Sequence, residues 1–119
     1  LMQDGYTVEG GYAMMEKFLE LDNPPTAVFA LSDQIAAGAM QCLHKKGMKV
    51  PEDMSVIGYE NLLAKYLVPQ IDSVALEYNN IGEMVMSLLI DRMGNISMPS
   101  KTKYIDMKYV ERGTLKKIY

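Results

Sequence analysis

The chain has 119 residues, 49% of them hydrophobic and 23% charged, which suits one globular domain of ordinary size rather than a disordered tail. Its net charge of −3 argues against a segment that grips a phosphate backbone, because the lysines occur only as the pairs Lys45-Lys46 and Lys116-Lys117. No apolar run approaches the ~18 residues that a membrane helix needs, so no membrane partner is expected.

The elements follow in chain order. Thr7 can N-cap a first helix that carries Tyr12, Met15, Phe18 and Leu19 on one face, and Asp22-Asn23-Pro24-Pro25 ends it because proline cannot continue a helix. Residues 26–31, TAVFAL, form a short run apolar on both faces, which predicts a central parallel strand. Ser32 or Asp33 caps a second helix with Ile35, Ala36, Ala39, Met40 and Leu43 as its apolar stripe. The small residues 36–39 allow a close approach to another surface, and Gly47 is placed at the position after the helix where a left-handed backbone favours glycine. Residues 54–58 read as the second strand, so the middle of the chain has the spacing of parallel βαβ units.

Beyond Asn61 the pattern predicts a helical turn in LLAKYL and an extended stretch over 68–76. Asn79 or Asn80 can cap a further helix with Ile81, Met84, Val85, Leu88, Leu89 and Met93 turned inward, and Gly94 stops it. Residues 104–110 alternate, with Ile105, Met107 and Tyr109 on one face and Asp106 and Lys108 on the other, as in a half-covered edge strand. Most of the 11 methionines lie at helical core spacing and are read as packing residues. The single cysteine, Cys42, makes an internal disulfide impossible and fits a reducing cytoplasmic compartment. Cys42 and His44 point apart on a helix, and no further Cys or His completes a metal site, so neither metal nor cofactor is expected.

In an open parallel sheet, ligands bind beyond the carboxyl ends of the strands. Two such ends can be located: FALSDQ delivers Ser32 and Asp33, and VIGYEN delivers Tyr59, Glu60 and Asn61. A hydroxyl, an amide, two carboxylates and an aromatic on one rim would suit a polyol or sugar. The same residues could equally cap a helix and begin a turn. A hydrolytic acid/base pair lacks a nucleophile with an orienting partner, and no glycine-rich phosphate loop is present.

The run PTAVFALSDQIAAGAMQCLHKKGMKVPEDMSVIGYEN closely resembles the lactose-repressor (LacI/GalR) family of bacterial transcription regulators. The family's spacing is unbroken through Pro25-Thr26-Ala27, Asp33, Gly38-Ala39, Gly47, Val50-Pro51, Asp53, Ser55-Val56 and Gly58. Gly11-Tyr12, the stretch AKYLVPQIDSV and the closing YIDMKYVERGT with Arg112 extend the resemblance over essentially the whole chain. It implies an α/β, periplasmic-binding-protein-like fold: a parallel sheet flanked by helices, in two subdomains with a ligand cleft between them. It implies a fragment lacking the helix-turn-helix DNA-binding domain and most of the N-terminal subdomain, in keeping with a first residue that is leucine. Residues 1–74 would be the C-terminal subdomain, 75–103 a crossover and a helix of the N-terminal subdomain, and 104–119 the closing strand and tail.

The implied function is ligand-controlled transcription rather than catalysis. A small effector, a sugar or a purine-like molecule, would alter how a homodimer holds DNA through the absent N-terminal domain. The alternative is the sugar-binding protein of an ABC transporter. By resemblance, Ser32, Glu60, Asn61 and Tyr78 stand at effector positions, with Asp33 weighed as cap or contact. Glu60 replaces an Asp common in the family, and Ser32 replaces an Asn. The dimer surface would include Ala37, Met40 and Gln41 on the second helix, and Tyr66, Leu67 and Val68 on the following turn.

Overall fold

The structure, a computed structural model, describes residues 5–117, and for Asn79 the backbone alone. It contains helix α1 (Val8–Leu19), strand β1 (Ala27–Phe29), helix α2 (Asp33–Lys45), strand β2 (Ser55–Glu60), a 3-10 turn at Ala64–Tyr66, strand β3 (Asp72–Ala75), helix α3 (Tyr78–Gly94) and strand β4 (Lys108–Val110). The chain divides into two compact units, Leu1–Ala75 with Tyr109–Tyr119, and Leu76–Lys108.

In the first unit, the Thr7 hydroxyl accepts the Gly10 N–H at 3.0 Å and starts α1. Ser32 does the same for α2 through the Ile35 N–H at 3.2 Å. The end of α2 is a Schellman motif: the Met48 N–H reaches the Leu43 carbonyl at 2.9 Å, and Gly47, at φ +74°, reaches His44 at 3.0 Å. The two helices touch backbone to backbone. A Cβ at Gly38 would lie 1.9 Å from the Val8 carbonyl oxygen, and one at Gly11 would lie 2.2 Å from that of Ile35. Met15, Ala36, Ala39, Cys42, Leu43, Met54 and Val56 close the core between these helices and the sheet. Cys42 is thus a packing residue, and burial pushes its thiol up from its ordinary value.

The sheet order is β1-β2-β3-β4, with β2 parallel to both β1 and β3 in the registers Phe29↔Ile57 and Ile57↔Asp72. β3 begins too late to reach the start of β2, and the C-terminal tail fills that place. The Val56 N–H donates to the Thr114 carbonyl at 2.9 Å, and the Thr114 hydroxyl donates to the Val56 carbonyl at 2.7 Å while accepting the Asp72 N–H at 2.9 Å.

Asp72 is fully buried and fixes this tail. One carboxylate oxygen accepts the Arg112 N–H and the Gly113 N–H (2.7 Å); the other accepts the Tyr109 hydroxyl (2.7 Å) and the Leu115 N–H (3.1 Å). Burial pushes the carboxyl up, but these donors outweigh it and hold it below its ordinary value of 3.8. Burial and the adjacent carboxylate push the Tyr109 phenol up to about 12.

Several expectations change. β1 lies at the sheet edge among the described residues, with Ala27 and Phe29 exposed, because it pairs on one side only. β2 runs past Gly58 to Glu60, since the ladder to β3 continues through Glu60↔Ala75. The last strand is Lys108–Val110 rather than all of 104–110; alternation also marks exposed chain, and a strand needs a partner.

In the second unit, α3 begins at Tyr78 with Glu77 as N-cap and no side-chain cap. Asn80 instead turns back to donate to the Glu77 carboxylate at 2.6 Å, and the side chain of Asn79 lies outside the described atoms. Glu77 also pairs with Lys108. Of the residues expected inward on α3, Ile81, Met84 and Leu88 are half-buried, whereas Val85, Leu89 and Met93 are exposed, because their own unit offers no layer to cover them. Met15 and Met54 are buried, but Met86, Met93 and Met107 are exposed, so the methionines are core residues only in part.

Two outcomes follow. Gly38→Ala should destabilise the fold by about 3 kcal/mol or more, as overpacking against backbone does, read by chemical denaturation. Because the Asp72 carboxyl is depressed in the fold, its contribution is complete above its ordinary value and fades as the pH falls through the folded one. Asp72→Asn should therefore cost about 1.5–3 kcal/mol at pH 7 and flatten the acid limb of a stability–pH curve.

Candidate functional site

The rim at the carboxyl ends of β1 and β2 is organised around Asp33, which is 1% exposed. A carboxylate so deeply placed must be saturated by donors. Its Oδ1 accepts the Ser73 hydroxyl at 2.8 Å, and its Oδ2 accepts the backbone N–H groups of Leu63 at 2.9 Å and Ala64 at 3.0 Å. A Cβ on Gly58 would come within 2.7 Å of Oδ1, so only glycine lets β2 pass over this carboxylate. Asp33 is therefore occupied by protein donors from β3 and the segment after β2. Beside it, Ser32 is buried with its hydroxyl on the α2 N-terminus.

Glu60 and Asn61 close β2 in an unusual backbone shape. Glu60 has φ +92° and Asn61 has φ +56°. Asparagine tolerates this region, but for glutamate the conformation costs about 1–3 kcal/mol and persists only where surrounding contacts fix it. Here the fixing contacts are visible. Before the turn, Glu60 is held in the ladder opposite Ala75. After it, the Asn61 N–H donates to the Ser73 hydroxyl at 3.1 Å, and the Asn61 Oδ1 accepts from the Arg112 guanidinium at 2.6 Å. A hydrogen bond to a charged group contributes about 1.5–3 kcal/mol, the same size as the strain it opposes.

The Glu60 side chain is half-buried, and among the described residues none donates to its carboxylate. It contrasts with the two saturated carboxylates, Asp33 and Asp72. Tyr59 turns to the other side of the strand end, where its ring meets Phe29 edge-on with centroids 6.3 Å apart. The fold thus brings Ser32, Asp33, Glu60 and Asn61 to adjacent strand ends within the first unit. Tyr78 belongs to the second unit, where it opens α3 and is partly exposed.

Ser73 and Asp72 went unrecognised from sequence as parts of this frame. The signal was present as two polar residues inside the otherwise apolar strand stretch Ile71–Ala75, and buried polar residues in a strand must bond to something.

A second surface lies on the same unit. The α2 residues Ala37, Met40 and Gln41 and the turn residues Tyr66, Leu67 and Val68 all line one open groove of about 670 Å³. Val68 is 99% exposed at its lip. No group of three or more potential metal ligands is found among the described residues, and no described helix is long and apolar enough to cross a membrane.

The fold has recognisable relatives. A family model described as a periplasmic binding protein-like domain matches residues 1–115. The HTH-type transcriptional repressor CytR of Escherichia coli K12 is 37% identical over 92% of this chain and 32% of its own length. A putative LacI transcriptional regulator from Bacillus cereus subsp. cytotoxis superposes with a TM-score of 0.89 at 30% identity, over 96% of this chain and 41% of that one. A LacI family regulator from Enterococcus faecium, solved with bound ribose, gives 0.78 at 30% identity over 92% of this chain and 40% of that one. The chain spans about a third of the length of the curated relatives it matches. Its matched span and its parallel sheet agree: the chain belongs to the periplasmic binding protein-like domain family, and it is similar to these LacI-type transcriptional regulators.

Proposed function

We propose that this chain forms the C-terminal part of the effector-binding and dimerisation region of a LacI-type regulator, and that Glu60 is its principal effector contact. The observation that carries this reading is the Glu60 carboxylate: half-buried, without a donor among the described residues, and held on a strained strand end. A carboxylate so placed accepts two adjacent hydroxyls of a sugar, with charge assistance. The ribose bound by the Enterococcus faecium relative supports a sugar as the effector class. A purine-like ligand is the other member of the class tested below. Asn61 follows Glu60 on the same strand end, and Ser32 stands at the neighbouring one within the first unit.

In the complete protein, the first unit would form most of the C-terminal subdomain, and α3 would pack its exposed apolar residues on the N-terminal subdomain. DNA would be held through a helix-turn-helix domain outside this chain, in the cytoplasm. The protein would act by binding, not catalysis. The groove between α2 and the turn at Tyr66–Val68 is the proposed homodimer surface, because a fully exposed valine beside an apolar groove is a contact in search of a partner.

In the full-length protein, Glu60→Ala should weaken ribose or hypoxanthine binding at least tenfold, equivalent to about 1.5–3 kcal/mol, by isothermal titration calorimetry. An unchanged affinity for whichever of the two binds would remove Glu60 from the site. Glu60→Gly separates function from stability. It relieves a backbone cost of about 1–3 kcal/mol against a glycine entropy cost of about 0.4–1 kcal/mol. The variant should therefore melt higher while binding no better than Glu60→Ala.

For the dimer, Val68→Glu adds a charge at a position that costs the monomer fold almost nothing. Analytical ultracentrifugation should show the dimer dissociating; an unaltered dimer would place the interface elsewhere.

A further inference from the structure

We infer that Arg112, contributed by the C-terminal tail, is a positioning residue for the effector site: it holds the Glu60–Asn61 turn in its left-handed shape and so governs how the Glu60 carboxylate is presented. The inference rests on the reading of Glu60 as the effector contact. Arg112 lies 51 residues from Asn61 in the chain, yet its Nη2 donates to the Asn61 Oδ1 at 2.6 Å. Its Nη1 donates to the Ile71 carbonyl at 2.8 Å. One planar fork therefore bridges the exit of β2 and the entry of β3. A lysine, with a single nitrogen on a flexible stem, does not reproduce that two-point geometry.

The fork is itself anchored. The Arg112 N–H and the next residue, Gly113, at φ +97°, both donate to the buried Asp72 carboxylate. The guanidinium is thus supported from behind by the same contacts that insert Thr114 beside β2. On the far side of the turn, Ser73 links the Asn61 N–H to Asp33. Two consecutive left-handed residues do not hold themselves in place. The ladder fixes Glu60 from one side, and Asn61 is fixed from the other by Ser73 on its backbone and Arg112 on its side chain. Of these, Arg112 is the one charged donor, and it alone reaches the Asn61 side chain among the described residues. Its influence on Glu60 passes through Asn61, so Arg112 acts by placement and not by meeting the effector.

The test uses the full-length protein with ribose as the probe, read by calorimetry and by residue-resolved amide hydrogen exchange. In Arg112→Ala, exchange at Asn61, Leu63 and Ala64 should accelerate at least tenfold while the α2 interior stays protected, and the ribose Kd should rise at least tenfold. Arg112→Lys keeps the charge and guards against loss of the fold; it should show the same local acceleration with a severalfold rise in Kd. Unchanged exchange over 61–64 in both variants overturns the proposal. So does a normal Kd in both when Glu60→Ala has lost binding. If instead Glu60→Ala leaves the Kd unaltered, or the parent protein does not take up ribose, the reading of Glu60 as a sugar contact fails separately. Exchange over 61–64 then decides by itself whether Arg112 holds the turn.

Discussion

The buried carboxylate of Asp33 is the contact on which the rim of the sheet depends. It sits at the start of α2, yet its three hydrogen bonds go to β3 and to the segment after β2. A single side chain therefore sets the spacing between the end of one strand, the turn after the next and the strand beyond. The arrangement is possible only because Gly58 leaves room for Oδ1 beneath β2. An aspartate placed so deeply cannot be left short of donors, because the cost of an unsatisfied buried charge exceeds that of any single hydrogen bond in the network. The chain around it must then adopt whatever backbone shape delivers those donors. The Asp33–Ser73–Asn61 relay ties that requirement to the left-handed turn at Glu60.

The second organising contact is the tail. Thr114 occupies the place beside Val56 that β3 leaves empty, and Asp72 gathers four donors from residues 109–115. Asp33 and Asp72 are thus two saturated carboxylates on opposite flanks of Ser73, one fixing the rim and the other fixing the closing segment. Glu60 belongs to neither network, and no described residue donates to its carboxylate. That division of labour among three carboxylates is a physical distinction between frame and proposed site. The frame residues have spent their acceptors on the protein.

The apolar surfaces tell a complementary story. A hollow of about 800 Å³ beside the edge of β1, lined in part by Phe18, Phe29 and Ile35, opens the core to one side. The groove at Met40 and Tyr66 is open as well, and within its own unit α3 exposes Val85, Leu89 and Met93. Apolar faces of this extent are covered in a working protein. The chain spans about a third of the length of the curated relatives it matches.

The sequence by itself determined the local elements and the family. Thr7, Ser32 and Gly47 mark helix ends through bonds made within a few residues, and periodicity finds helices because a buried stripe must repeat with the turn of the helix. It also brought Glu60 and Asn61 to a strand end, because the apolar run of a parallel unit breaks at Gly58 and the next residues fall at the carboxyl end of the strand. It failed where the answer lay in a partner distant along the chain. The edge position of β1, the length of the last strand and the exposed half of α3 all depend on which neighbour is present, and a short apolar run looks the same in each case. Only the tertiary structure decided that Asp33 is spent on backbone donors, that Asp72 and Ser73 belong to the frame, and that Arg112 meets Asn61. The reason is geometric: hydrogen-bond partners 30 to 51 residues apart are chosen by how strands stack, and no local pattern encodes that choice.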